Sequence, residues 1–190
     1  MIFTDNDSYF DVIQDMINQN PHSVFISSFG LYAGITTNST IITKYQNKPR
    51  DILNILRDRN INTFIMIGVQ KFFQCKENCD DCKKKFVNDM IRLLCHVENW
   101  PMFKWKFLYG NHLKCFLSMY DDDFVDGVSG GRNFSNSDWL DVSLSLSGDE
   151  ANELSVMFLE NWKTAFDINE YNINKFINDN GVIANPEWFE

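Results

Sequence analysis

The sequence lacks any apolar run of about 18 residues, so it predicts no membrane-spanning helix. The first 11 residues contain no basic stretch of the kind that opens a secretory signal, and we expect no such signal. The five cysteines are an odd number, which fits a reducing compartment better than a disulfide scaffold. These absences favour a cytoplasmic protein, and 190 residues with 44% hydrophobic content are sufficient for one domain with its own core.

Basic residues are fewer than acidic ones, with 17 Lys and Arg against 26 Asp and Glu. The resulting net charge of −9, taken alone, disfavours nucleic acid as a partner. The distribution is uneven, however, because residues 40–115 contain 14 of the 17 basic residues and 7 of the 26 acidic ones. This central segment is interpreted either as a solvated charged face or as a local anion-binding surface, and composition leaves both open.

The order of hydrophobic patterns predicts an α/β fold, in which helices cover a sheet. A period near 3.6 residues indicates helices, whereas apolar runs and strict alternation indicate strands. Helices are predicted at residues 9–18, 50–59 and 86–96, with a further helix that begins at 149. Strands are predicted at residues 23–28, 63–69, 103–108, 112–119, 124–128 and 140–147.

The chain contains three histidines, and one of them, His112, is followed two residues later by a lysine, Lys114. On a strand this spacing directs both side chains to one face of the sheet. A single histidine on a strand is more often structural, so this pair needs further polar groups near it to indicate a site. An imidazole that attacks phosphorus, with an ammonium to stabilise the developing charge, would suit a phosphate site.

A second polar segment follows the next predicted strand and reads Gly-Gly-Arg-Asn-Phe-Ser. Its glycines, Gly130 and Gly131, permit close approach of the backbone to a ligand. Asn133 can donate an amide hydrogen bond and Ser135 a hydroxyl hydrogen bond. The two segments together therefore predict a phosphate-binding site.

His-x-Lys followed by Gly-Gly-x-Asn resembles the signature of the phospholipase D superfamily. The resemblance continues through the predicted strand at 140–147 and the helix that carries Phe158 and Trp162, and it spans roughly residues 9–165. It implies a phospholipase D-like mixed sheet with helices on both faces and a single repeat, residues 1–166. Residues 74–85 would be a Cys-rich insertion, and residues 167–190 a tail or extra helix.

The resemblance implies catalytic roles for His112, Lys114 and Asn133. Asp141 matches a carboxylate that orients the imidazole through its other nitrogen, although it could equally be an exposed residue on the polar face of a strand. One position departs from the family pattern, because the aspartate expected five residues after the lysine is Met119 here. A catalytically inactive relative is therefore an alternative.

The family needs two His-x-Lys motifs for each active site, and neither His22 nor His96 has the lysine. The resemblance thus implies a homodimer in which two copies complete one metal-independent site. One His112 would form a phosphohistidine, and its mate would protonate the leaving oxygen.

The predicted insertion contains three cysteines and a run of three lysines. With a fourth cysteine from the following helix, these cysteines could form a tetrahedral structural zinc site, whereas free reduced thiols are the alternative. The lysines could contact a phosphate backbone. The candidate zinc ligands are Cys75, Cys79, Cys82 and Cys95, and the lysines are Lys83, Lys84 and Lys85.

The function that the sequence favours is a metal-independent phosphodiesterase, foremost a nuclease acting on DNA or RNA. The alternative is a catalytically inactive phosphate-binding or nucleic-acid-binding module, or an inhibitor protein, of the same fold. A phospholipase is less favoured because no amphipathic or membrane-spanning segment is predicted.

Overall fold

A computed structural model describes residues 1–4, 6–28, 48–69, 101–121, 124–131, 134 and 142–167. Three helices and eight strands lie within these ranges. The helices are α1 (Asn6–Asn18), α2 (Lys48–Asp58) and α3 (Asp149–Thr164). The strands are β1 (Ile2–Phe3), β2 (Ser23–Ser28), β3 (Asn62–Val69), β4 (Phe103–Tyr109), β5 (Cys115–Met119), β6 (Val125–Gly130), β7 (Ser143–Ser147) and β8 (Phe166–Asp167).

The strands form one mixed sheet in the order β1-β7-β6-β5-β2-β3-β4-β8. Strands β2, β3 and β4 run parallel to one another, and every other neighbouring pair is antiparallel. Strand β2 is buried along its whole length, which is typical of a central parallel strand covered on both faces. The prediction of an α/β fold with central parallel strands is confirmed.

The two faces of the sheet pack against different helices, because successive strand residues point to opposite sides. On one face Phe25 packs against Phe158 of α3, with ring centroids 5.3 Å apart. On the other face the ring of Phe116 stacks at 6.2 Å on Phe134, which also contacts Phe10 of α1 at 5.9 Å. Helices therefore cover both faces.

Helix α2 is held beside α1 by the residue that follows it. The guanidinium of Arg59 donates a hydrogen bond of 2.8 Å to the backbone oxygen of Ile17. The apolar stripe of α2, which includes Leu53 and Leu56, is buried. None of the helices in the described ranges is long and apolar enough to cross a membrane.

Most element boundaries differ from the predicted ones by a few residues, and the difference at β5 affects the candidate site. The strand predicted at 112–119 begins at Cys115, so His112 and Lys114 precede it. The two-residue strands β1 and β8 were not predicted, and β8 extends the sheet to residue 167, one past the expected domain boundary. The predicted helix at 86–96, the insertion at 74–85 and most of the tail lie outside the described residues.

Candidate active site

Chain segments from both halves of the sheet meet at one edge. The parallel strands β2, β3 and β4 end at this edge with their carboxyl termini. Because β5 is antiparallel to β2, it begins here, and its first residue, Cys115, lies opposite Ser27. Strand β6 is antiparallel to β5, so it ends at this edge, where Ser129 lies opposite Cys115. The carboxyl edge of parallel strands is where α/β proteins commonly bind ligands.

His112 and Lys114 lie at this edge with their polar groups in contact. The Nζ atom of Lys114 is 3.1 Å from each of the two ring nitrogens of His112 and 3.2 Å from its backbone oxygen. Lys114 is buried, with 6% of its surface exposed, whereas His112 is exposed. An ammonium has donors alone, so a ring nitrogen that bonds to it must offer a lone pair. This arrangement leaves an accessible imidazole beside a buried positive charge.

The prediction that His112 and Lys114 lie on a strand is wrong, although their side chains do meet. Strand β5 begins only at Cys115, whose register partner in β2 is Ser27. Several backbone groups of the segment before Cys115 are hydrogen-bonded to side chains.

Asn111 is the main contributor to this side-chain network. Its amide nitrogen donates to the hydroxyl of Ser27 at 2.9 Å, and its amide oxygen accepts from the backbone nitrogen of Leu113 at 3.1 Å. Sequence reasoning missed Asn111 and Ser27. The signal available in the sequence was the Gly-Asn pair at residues 110 and 111, which favours a turn just before the His-x-Lys segment. In the structure, Gly110 has a φ of +71°.

Gly130 lies beside Lys114 at the end of β6, and Gly131 follows it in the chain. The backbone nitrogen of Gly130 donates to the backbone oxygen of Lys114 at 3.3 Å, and that of Gly131 donates to the oxygen of Val142 at 2.9 Å. A Cβ atom on Gly130 would lie 2.6 Å from the Cα of Ser143. In the described structure, Gly130 therefore permits close packing against β7.

Phe134 is the described residue nearest in the sequence to the remaining predicted ones. This side chain is 1% exposed, and its backbone nitrogen donates to the hydroxyl of Ser28 at 3.0 Å. The two residues that flank it in the sequence, Asn133 and Ser135, lie outside the described residues.

Other predicted site residues also lie outside the described ranges. These include Asp141 and the four candidate zinc ligands, which remain predictions together with the lysine run. Among the residues that are described, no group of three or more His, Cys, Asp or Glu side chains could hold a metal ion. The undescribed candidates are Asp141, Cys75, Cys79, Cys82, Cys95, Lys83, Lys84 and Lys85.

Met119, which departs from the family pattern, lies at the opposite end of β5 from Lys114. Its register partners are Ser23 at the beginning of β2 and Val125 at the beginning of β6. At about 3.4 Å per residue, the strand separates Met119 from Lys114 by roughly 17 Å. Residue 119 therefore does not contact the His112 and Lys114 side chains.

No family model matches this chain, and no curated protein matches it. Among solved structures, it is similar to that of TrmBL2, an archaeal chromatin protein with a novel mode of DNA binding, at a TM-score of 0.51 and 10% identity. The similarity covers 88% of this chain and 54% of the other, so the chain spans about half the length of the TrmBL2 chain. At this identity the similarity supports the fold alone.

Proposed function

We propose that this chain is a metal-independent phosphodiesterase of the phospholipase D type, directed at nucleic acid, which acts through a phosphohistidine in a homodimer. The observation that carries the proposal is the contact between the buried ammonium of Lys114 and the exposed imidazole of His112. A fixed positive charge beside an accessible nucleophile suits attack on a phosphodiester, whose transition state gains negative charge.

The proposed reaction has two steps. In the first step a ring nitrogen of His112 attacks phosphorus, and the bond from phosphorus to the leaving oxygen breaks. The partner subunit's His112 donates a proton to that oxygen. In the second step water attacks the phosphohistidine while the partner subunit's His112 accepts its proton, which releases a phosphate monoester and restores both imidazoles. Lys114 stabilises the charge on the phosphoryl oxygens in both steps.

Asn133 and Asp141 complete the proposed site as an amide donor and as the carboxylate that orients the imidazole. Their neighbours in the sequence support these roles. Phe134 is tied to Ser28 at the end of β2, and Val142 accepts a hydrogen bond from Gly131. Both anchors lie at the edge that carries His112.

Met119 lies away from the reacting groups of the proposed site. Because residue 119 is roughly 17 Å along the strand from Lys114, its exchange for an apolar residue leaves the reacting groups unaltered. The proposed mechanism therefore assigns no direct chemical role to residue 119.

Nucleic acid is the proposed substrate class, supported by two observations. The basic residues are concentrated between positions 40 and 115, which suits a polyanion. The structural neighbour TrmBL2 is described as a DNA-binding chromatin protein, which fits the same class.

The proposal is tested with purified protein, bis(4-nitrophenyl) phosphate, and single- and double-stranded DNA and RNA, all in EDTA. Cleavage should persist in the chelator, and His112→Ala should reduce it at least about a thousandfold. His22→Ala is the matched control, because His22 is an exposed histidine at the opposite end of β2. Loss of cleavage in EDTA without unfolding would contradict the mechanism.

A binding module is the second candidate, favoured by the description of TrmBL2 as DNA-binding. The same experiment separates the two. If the wild type binds nucleic acid without cleaving it, the module is correct. If His112→Ala abolishes cleavage while binding persists, the enzyme is correct.

A further inference from the structure

The end of β2 carries two adjacent serines that sequence reasoning did not single out. Ser27 is 1% exposed and Ser28 is fully buried. Consecutive strand residues point to opposite faces of a sheet, so the two hydroxyls serve different segments of the chain. Buried hydroxyl groups are costly unless they are hydrogen-bonded, and the partners of these two show what they hold.

Ser27 holds the segment that carries the imidazole. Its hydroxyl donates to the backbone oxygen of Leu113 at 2.9 Å and accepts from the amide nitrogen of Asn111 at 2.9 Å. The amide oxygen of Asn111 accepts in turn from the backbone nitrogen of Leu113 at 3.1 Å. These three hydrogen bonds form a closed network around the residues on either side of His112.

Ser28 holds the loop that follows β6. Its hydroxyl accepts from the backbone nitrogen of Phe134 at 3.0 Å. The aromatic ring of Phe134 is packed between Phe10 and Phe116, so this anchor is fixed by both a hydrogen bond and a buried side chain. Phe134 directly follows Asn133 in the sequence.

We propose that Ser27 and Ser28 are positioning residues, which tie the His112 segment and Phe134, the residue that directly follows Asn133 in the sequence, to one strand end. The inference rests on the proposed function, in which the imidazole and the amide act on one phosphate. Neither hydroxyl acts on the substrate in this proposal. Their effect is to hold two separate chain segments in one geometry.

The test compares Ser27→Ala and Ser28→Ala with Ser23→Ala, each assayed with bis(4-nitrophenyl) phosphate. Ser23 is a matched control because it is a buried serine of the same strand, at the opposite end from the site, where it contacts His22. We expect kcat to fall by roughly tenfold to a hundredfold in the two test variants, with a smaller rise in KM, because misplacement of about 1 Å has this cost. Equal kcat in all three variants, or a change in KM alone, would overturn the proposal.

Further measurements apply if an alanine variant does not fold or if the wild-type protein does not cleave the substrate. If an alanine variant unfolds, a cysteine at that position retains the shape with a weaker hydrogen bond, and it should give an intermediate kcat. If the wild type does not cleave, the proposed function fails, and inorganic phosphate is titrated against the NMR signals of the His112 ring. Weaker phosphate binding in both test variants but not in Ser23→Ala then supports positioning, whereas equal binding refutes it.

Discussion

Lys114 is in an environment that lysine seldom adopts. Its ammonium is buried near the His112 ring, and burial of a charge has a large desolvation cost. Proteins retain such groups where function requires them, at the expense of stability. One substitution separates the stability cost of the buried Lys114 charge from the catalytic role that we propose for it.

Lys114→Met removes the charge and keeps a flexible apolar chain of similar length. We expect phosphodiester cleavage to fall at least about a hundredfold, because a group that stabilises the transition state is lost. The melting temperature should be unchanged or higher, since apolar replacements of buried charges are often neutral or stabilising. Lys104→Met is the control, because Lys104 is exposed and lies over the ring of Phe64. Retained activity in Lys114→Met would remove Lys114 from the mechanism.

Asp126 provides a prediction about pH. Partial burial raises the pKa of its carboxyl group above the ordinary 3.8. The folded protein therefore holds this proton more tightly than the unfolded chain does, and the ionised carboxylate lowers stability at neutral pH. This penalty is lost as the pH falls through the raised pKa, and below about 3.8 the two states no longer differ.

Asp126→Asn should consequently raise the melting temperature at pH 7, with a gain that shrinks under acid and vanishes below the ordinary carboxyl pKa of 3.8. Burial, and secondarily the charge of Asp126, raises the pKa of Tyr120 to about 12, so the same variant should lower the tyrosinate titration midpoint. Thermal melts across pH and ultraviolet titration measure the two effects, with the exposed Asp121→Asn as control. A stabilisation independent of pH would contradict the assignment.

At the residue scale, the contact between His112 and Lys114 was anticipated from the sequence, whereas the residues that support it were not. The structure brings the side chains of His112 and Lys114 together, although the two residues precede the strand on which the spacing had placed them. The roles of Asn111 and Ser27 cannot be predicted from the sequence, because they depend on a contact between residues 84 positions apart. The local sequence pattern contains no information about contacts between residues that are far apart in the chain.

At the level of elements, periodicity predicts the long helices and the buried strands, and it fails at their ends. The apolar stripe of α3, with Ala151 and Phe158 buried, matches the predicted spacing. The beginning of β5 is mispredicted because polar and apolar residues still alternate from residue 112, whereas strand pairing begins only at Cys115. Strands β1 and β8 have two residues each, too few for any period to be detected.

The junction of β6 and β7 provides a prediction at this scale. Gly130→Ala should destabilise the fold by about 1–3 kcal/mol, because the added carbon meets the β7 backbone. The methyl carbon would lie 2.6 Å from the Cα of Ser143, well inside van der Waals contact. Activity should fall as well, since Gly130 donates to the backbone oxygen of Lys114.

Urea denaturation measures this loss, and Gly110→Ala is the comparison. A Cβ atom on Gly110 meets nothing within 4 Å, so the substitution there has only the cost of its φ of +71°. Equal urea midpoints for Gly130→Ala and the wild type would show that β7 shifts to accommodate the methyl group without a loss of stability.

At the scale of the whole molecule, the order of strands and helices predicts the parallel centre of the sheet. A strand, a helix and a second strand in succession favour a parallel pair, and β2 and β3 form one. The full strand order is beyond prediction, because β5 inserts beside β2 from a distant part of the sequence. The number of active sites per molecule likewise depends on how the subunits assemble, which the sequence of one chain does not specify.

Subunit mixing tests that assembly. If two copies of His112 serve one site, a dimer with one His112→Ala subunit lacks either the nucleophile or the proton donor and does not turn over. An equimolar mixture of wild-type and variant subunits, unfolded and refolded together, should then retain about one quarter of the wild-type activity, since random pairing gives that share of intact dimers. Independent monomers would retain about one half. Mixing with His22→Ala controls for refolding losses, and a result of one half would mean that each chain works alone.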